Sequence, residues 1–128
     1  MPLRLFILLV VTTCSMALAA PVSAPVRAEI DALLASLGSS GCDFNRNGSW
    51  HRASEAKSHL LRKLEYLEGK NLVATTEQFI ELAASSSSSS GKPYQVKCSG
   101  GAAIESRSWM LSQLKVVRAS SRAASGAK

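Results

Sequence analysis

Seven residues in this chain have side chains of the kinds that bind small charged or hydroxylated molecules, and they lie in three short stretches. They are Arg46, Asn47, His59, Lys63, Ser90, Lys92 and Tyr94. Arginine and lysine donate charged hydrogen bonds, asparagine and serine offer neutral ones, and tyrosine supplies a flat apolar wall with a polar tip. Such a set suits an anionic ligand or a glycan, which makes the seven residues a candidate binding site.

A serine hydrolase is the competing interpretation. Ser89 and Lys92 have the Ser-x-x-Lys spacing of penicillin-interacting acyl enzymes, in which the lysine helps to activate the serine. Six consecutive serines at 85–90 make this match easy to obtain by chance, Pro93 hinders the helix that presents such a pair, and the companion motifs of the class are absent from the sequence. The sequence therefore predicts no catalytic residue and favours a binding protein over an enzyme.

His59 can also be interpreted through its own helix. Glu55, His59 and Lys63 follow one another at four-residue spacing, so they share one helical face. The stripe is either a carboxylate that orients an imidazole or a solvated helix face, and the solvated face is favoured. Neither His51 nor His59 has a Cys-x-x-Cys or His-x-x-x-His partner, so we expect no metal ion and no other cofactor.

The N terminus has the pattern of an export signal over residues 1–19. A basic residue precedes an unbroken apolar run at 5–11, and residues 17–19 fit the small-x-small pattern before a cleavage site, which places the cut before Ala20. A membrane anchor and a lipoprotein cleaved at Cys14 are less favoured, because polar residues dilute the apolar run and the residue before the cysteine is large. We expect a periplasmic protein with no membrane span after signal removal.

The chain is moderately basic. The whole sequence has a formal net charge of +6, and removal of the signal with its one arginine leaves 14 Lys and Arg against 9 Asp and Glu, a net charge of +5. Such an excess favours anionic surfaces, although it is also ordinary solubilising charge. Aromatic residues make up only 5% of the chain and are not interleaved with basic ones, which argues against a nucleic-acid partner.

Cys42 and Cys98 are the cysteines that remain after signal removal. In an oxidising compartment two such thiols are expected to pair, and two free thiols are the alternative. The bridge would close a loop of more than fifty residues and stabilise the fold by about 4 kcal/mol, because it restricts the unfolded chain. It would also draw the 46–48 turn towards the 90–94 segment, and these segments carry most of the candidate binding residues.

Four helices are predicted from apolar spacing and helix-end signals. They cover about 27–37, 54–67, the residues after a capping box at 75–78, and 106–118. In the third helix, Leu82 is predicted on the apolar side together with Phe79, Ile80 and Ala83. Residues 20–26 are predicted to form an extended leader, 27–118 a single globular domain, and 119–128 a disordered tail.

Two segments indicate β structure. Residues 42–52 contain Asn47-Gly48, the favoured pair for a two-residue hairpin turn, which would place Asn45 opposite Trp50, Phe44 opposite His51 and Asp43 opposite Arg52. A helix-capping loop is an equally good interpretation. Residues 94–98 alternate like a half-buried strand, and the serines before them predict a flexible polar loop. The predicted fold is mainly α (α+β), with about four short helices and a small β element stapled by one disulfide.

The order of several short motifs resembles a known family. The motifs are Cys42-x-Phe44-x-Arg46-Asn47-Gly48, Glu55-Ala56, His59-Leu60, Gln78-Phe79-Ile80, and Ser90-Gly91-Lys92-Pro93-Tyr94 before Cys98. Over about 27–118 the chain resembles the YfeK-like family of small bacterial periplasmic proteins, a domain of unknown function. The resemblance implies a bacterial, exported, cysteine-paired domain, and it implies no reaction or ligand. The serine run at 85–90 is more uniform than the family pattern.

These observations predict a non-catalytic periplasmic binding or envelope-associated module. Its partner would be an envelope component, either an anionic or glycan ligand or a protein. The alternative is a structural or assembly partner that buries apolar surface of the first and last helices against another envelope protein. A serine hydrolase is the least favoured of the three.

Overall fold

The computed structural model describes residues 11–14 and 22–126. Residues 11–14 are exposed and lie in no helix or strand. The predicted signal peptide, 1–19, and its cleavage site therefore fall mostly outside the described residues, and they remain predictions. In the part of the chain that the structure describes, no helix combines the length and the apolar character needed to cross a bilayer.

The described chain forms four helices and one small antiparallel sheet, which confirms the predicted fold class. The helices are α1 (Ala24–Ser39), α2 (Ala53–Gly69), α3 (Thr76–Ala83) and α4 (Ser106–Gly126). The strands are β1 (Asp43–Arg46), β2 (Ser49–Arg52), β3 (Gln95–Lys97) and β4 (Ile104–Glu105), and their order across the sheet is β2-β1-β3-β4.

The hairpin interpretation of residues 42–52 is confirmed, and the capping-loop alternative is wrong. Asn47 and Gly48 both have positive φ, at 52° and 84°, as a two-residue hairpin turn requires. The pairs Asp43 with Arg52, Phe44 with His51 and Asn45 with Trp50 all form in the predicted register. The turn therefore fixes which side chains of β1 and β2 face the helices.

The predicted disulfide between Cys42 and Cys98 is confirmed, with the two Cα atoms 4.2 Å apart. Cys42 immediately precedes β1 and Cys98 immediately follows β3. These two strands also pair directly through hydrogen bonds. The bridge and the strand pairing together hold the 46–48 turn beside the segment that enters β3.

The helices and the sheet share one core. Its largest fully buried side chains are Ile30, Leu33, Leu34 and Leu37 of α1, Leu60 and Leu64 of α2, Phe79 and Ile80 of α3, Met110 of α4, and Phe44, Tyr94 and Val96 of the sheet region. Each helix contributes residues at three- and four-residue spacing, so one face of each helix is buried.

A polar contact joins three of the helices at the edge of this core. Glu29 of α1 accepts a hydrogen bond from the Thr76 hydroxyl of α3 at 2.7 Å. It also accepts two from the Arg118 guanidinium of α4, at 2.9 and 3.2 Å. These hydrogen bonds lower the pKa of the Glu29 carboxyl, Arg118 contributing most.

Three sequence predictions need correction. The first helix begins at Ala24, inside the predicted leader, because Pro25 is compatible with the first turn of a helix. The last helix continues to Gly126, beyond residue 118 and into the predicted tail, where alanines support helical backbone. Leu82 is 44% exposed. It lies about 200° around the helix from Ile80, so α3 cannot bury both side chains against the same core.

Candidate functional site

The site is built around the hydroxyl group of Tyr94. This side chain is buried at the start of the β3 segment and packs against Phe44, with the ring centroids 5.0 Å apart. Its hydroxyl emerges between two side chains of α2. Lys63 Nζ lies 3.2 Å from the Tyr94 oxygen and His59 Nε2 lies 3.3 Å from it. Backbone hydrogen bonds from the Tyr94 N–H to Ser85 and from Ser106 to the Tyr94 carbonyl hold the segment in place.

Arg46 of β1 approaches His59 from the other side. Its Nη1 atom lies 2.8 Å from His59 Nδ1 and 3.3 Å from His59 Nε2. A guanidinium only donates hydrogen bonds, so the ring nitrogen that binds Arg46 accepts one and the imidazole is neutral. With Nδ1, the nearer nitrogen, as the acceptor, the ring proton is assigned to Nε2, which can then donate to the Tyr94 oxygen. The result is a continuous polar chain that runs from Arg46 through His59 and Tyr94 to Lys63.

The electrostatics of this chain agree with a neutral histidine. Burial, together with the nearby positive charges of Arg46 and Lys63, lowers the pKa of His59 to about 4. Burial and the charge of Arg46 also lower the pKa of Lys63. Burial raises the pKa of Tyr94, so its phenol stays protonated at neutral pH. Positive charge is therefore concentrated here and limits further protonation of the site.

A second set of hydrogen bonds folds the serine-rich loop over the hairpin turn. Asn47 Nδ2 donates to Ser87 Oγ at 3.2 Å, and the Ser90 hydroxyl donates to Asn47 Oδ1 at 2.5 Å. The loop has its own backbone hydrogen bonds, from Ser87 to the Lys92 carbonyl and from Gly91 to the Ser87 carbonyl. Ser87 is buried. The segment is thus a hydrogen-bonded loop, in contrast to the predicted flexible one.

Between the hairpin, α2 and this loop lies a cleft of about 440 Å³, which we call the cationic cleft. It is lined by Arg46, Asn47, Ser49, His51, His59, Lys63, Ser87, Ser88, Ser89 and Tyr94. None of these lining residues is acidic. Among residues 22–126, the ion pairs do not include Arg46 or Lys63. Both cations therefore face the cleft without a carboxylate partner.

Glu55, the carboxylate predicted to share a helix face with His59 and Lys63, contacts a different histidine. Glu55 lines a neighbouring cleft of about 470 Å³. Its Oε2 atom lies 3.2 Å from His51 Nδ1. The predicted pairing of Glu55 with His59 does not form, and the solvated-face interpretation is wrong for His59 and Lys63, which are both half-buried. Their helix face is covered by Tyr94 and the serine loop.

The structure brings together most of the predicted binding residues. Those that line the cleft are Arg46, Asn47, His59, Lys63 and Tyr94. Ser90 reaches the site through its hydrogen bond to Asn47. Lys92 is exposed and lies outside the cleft lining, and Ser89 bonds to the Ser87 hydroxyl at 3.0 Å, with no Ser89–Lys92 hydrogen bond in the described loop.

Five lining residues were not among the predicted site residues, namely Ser49, His51, Ser87, Ser88 and Ser89. His51 lies opposite Phe44 in the hairpin, and residues opposite each other on antiparallel strands share one face, so the predicted register carries the signal for it. Ser87 carries no such signal, because all six serines of the run are equivalent by type. Within the described residues, no group of three His, Cys, Asp or Glu side chains could hold a metal ion.

Comparison with known proteins places this chain in a family. The chain belongs to the family of unknown function DUF5329, which matches residues 24–118. A relative is the uncharacterized protein YfeK of Salmonella typhimurium strain LT2, which is 46% identical over 76 residues. That alignment covers 59% of this chain and 62% of the relative. No solved structure matches the chain. The resemblance predicted from the sequence motifs is thereby confirmed.

Proposed function

We propose that this protein is an exported, non-catalytic module that binds an anionic ligand in the cationic cleft. The observation that supports this most strongly is that Arg46 and Lys63 both line a cleft whose lining contains no carboxylate. Half-buried cations without counter-ions attract anions, because partial removal from water strengthens the charge interaction. Asn47 lines the same opening, and its amide nitrogen has a second N–H beside the one that it gives to Ser87.

An anion in the cleft would also relieve the repulsion within the cationic group. Arg46 and Lys63 both disfavour protonation of His59. A bound phosphate or carboxylate would offset that repulsion and raise the pKa of His59, since a nearby opposite charge favours the charged imidazole. At a pH below this raised pKa, Arg46, His59 and Lys63 would form a set of three cationic donors around one anion.

Export to the periplasm is part of the proposal. Its support is the N-terminal signal pattern together with the Cys42–Cys98 disulfide, a bond that persists in oxidising compartments. A ligand in that compartment would be an anionic component of the bacterial envelope.

The proposal is tested by calorimetric titration of the protein with inorganic phosphate and with pyrophosphate at low ionic strength. We expect saturable binding that weakens as salt is added. Arg46→Gln and Lys63→Gln should each weaken binding about tenfold or more, because each removes a charged hydrogen bond worth about 1.5–3 kcal/mol. Thermal melts without ligand check that each variant is folded.

Arg122→Gln is the matched control. Arg122 is exposed on α4, outside the cleft lining, and its loss changes the net charge by the same amount. It should leave phosphate affinity unchanged. Equal loss in all three variants would show that net charge alone attracts the anion. Absence of binding to either anion in the wild type would refute the proposed function.

A further inference from the structure

The cationic cleft continues into a second cavity, which we call the apolar groove. The groove has a volume of about 250 Å³. Its apolar lining residues are Tyr66, Leu67 and Leu82, and its polar ones are His59, Arg62, Lys63 and Ser88. His59 and Lys63 line both the groove and the cationic cleft. A ligand bound at the cations would therefore reach the groove without leaving the protein surface.

The groove contains apolar side chains that the fold leaves in water. Tyr66 of α2 is 66% exposed and Leu82 of α3 is 44% exposed, whereas Leu67 between them is nearly buried. Exposed apolar groups that cluster beside polar residues mark interaction sites more often than isolated ones do. The sequence predicts that Leu82 lies in the core, but the structure places it on the surface. Packing in the core therefore does not explain why this position is apolar.

The residue spacing along α2 sets the distance between the cationic cleft and the apolar groove. Lys63 precedes Tyr66 by three residues and Leu67 by four, so these side chains are neighbours on one helix face, about 5–6 Å apart at Cβ. An acidic group held by Lys63 would have apolar surface within one helical turn. Along this face of α2, in chain order, the cationic Lys63 therefore comes first and the apolar Tyr66 and Leu67 follow.

We propose that the ligand is an anionic single-chain amphiphile, with a phosphate or carboxylate head at Arg46 and Lys63 and an alkyl chain along Tyr66 and Leu82. This inference rests on the proposed function of the cationic cleft. A groove in which three apolar side chains adjoin the cationic Arg62 and Lys63 suits a molecule that is acidic at one end and apolar at the other. The groove has seven lining residues, whereas a stable protein interface takes about 20–30 residues on each side, so the groove suits one chain rather than a protein partner.

The test compares the affinities of the wild-type protein for three probes, with the octyl compounds kept below their critical micelle concentrations. They are octyl phosphate, inorganic phosphate and octyl glucoside, the last being a neutral molecule with the same chain. Each buried methylene contributes about fourfold in affinity, so two or three of them should make octyl phosphate bind at least tenfold more tightly than inorganic phosphate. Octyl glucoside should bind at least tenfold more weakly than octyl phosphate.

Two variants test whether the apolar groove causes the tighter binding of octyl phosphate. Leu82→Gln should lower octyl phosphate affinity about fivefold or more and leave inorganic phosphate affinity unchanged, because it removes only chain contacts. Leu72→Gln is the matched control, since Leu72 is 48% exposed and does not line the groove. It should change neither affinity. Leu82→Gln is expected to fold, because the side chain it replaces is already partly in water.

The outcomes separate the two proposals. If inorganic phosphate binds but the octyl chain adds nothing, the amphiphile inference is overturned while the proposed anion site stands. If Leu82→Gln binds octyl phosphate as tightly as the wild type, the chain does not lie in the groove and the inference fails. Equal binding of octyl glucoside would also overturn it. If neither phosphate probe binds, the proposed function fails and the inference fails with it.

Discussion

Removal of the disulfide is expected to have the largest effect on stability of any change considered for this protein. The double variant Cys42→Ala/Cys98→Ala leaves the folded contacts of the sheet in place, and alanine avoids burying a new hydroxyl at position 42, which is only 4% exposed. The bridged residues are 56 positions apart. A bridge that closes a loop of that length lowers the entropy of the unfolded chain, which stabilises the folded state by about 4 kcal/mol.

The assay is equilibrium urea unfolding of the double variant and the oxidised wild type, followed by circular dichroism. We expect the free energy of unfolding to fall by about 4 kcal/mol, which corresponds to a melting temperature lower by about 15–30 °C in a domain of this size. Wild-type protein in excess reductant should behave like the variant. A decrease below about 1 kcal/mol would refute the reasoning, because the bridge would then not restrict the unfolded chain by the amount that its loop length implies.

Three further outcomes follow from individual contacts. In the wild type, stability should fall as the pH drops from about 6.5 to about 4, because His59 binds a proton in the unfolded chain before it does in the folded one. His59→Gln should remove about 1 kcal/mol of that loss after allowance for solvent screening, measured as urea midpoints at pH 7 and pH 4.5. Glu29→Gln should cost about 1–2 kcal/mol at pH 7, and the difference from wild type should vanish as the pH falls through the lowered pKa of Glu29, since the charged form is the one that Arg118 stabilises. Thr75→Ala should cost about 1 kcal/mol in thermal melts, whereas an equal melting temperature would mean that the capping box does not stabilise α3.

Local signals in the sequence predict the elements that local interactions decide. The Asn47-Gly48 pair predicts the hairpin and its register because only a few residue types adopt positive φ at both turn positions. The capping box predicts the start of α3 because its hydrogen bonds join Thr75 to Gln78 within one turn. Each of these predictions depends on residues within a few positions of one another.

Features that depend on residues far apart in the sequence cannot be predicted from local signals. β4 is two residues long and is defined by its pairing with β3. The spacing of Glu55, His59 and Lys63 shows which side chains share a helix face, but it does not show what covers that face. Tyr94 and the serine loop cover it, from positions about thirty residues further along the chain. The candidate residues and the approach of the 46–48 turn to the 90–94 segment are therefore predictable from the sequence, whereas the cleft that these segments form with α2 is not.

The central claim is that an anion occupies the cleft formed by Arg46, His59 and Lys63. The most direct measurement is an NMR titration of the His59 imidazole in wild-type protein, with saturating inorganic phosphate and with sodium chloride at the same ionic strength. The claim predicts a pKa of about 4 in chloride and a value at least one pH unit higher in phosphate, because the bound anion offsets the repulsion from both cations. An identical pKa in the two salts would contradict it.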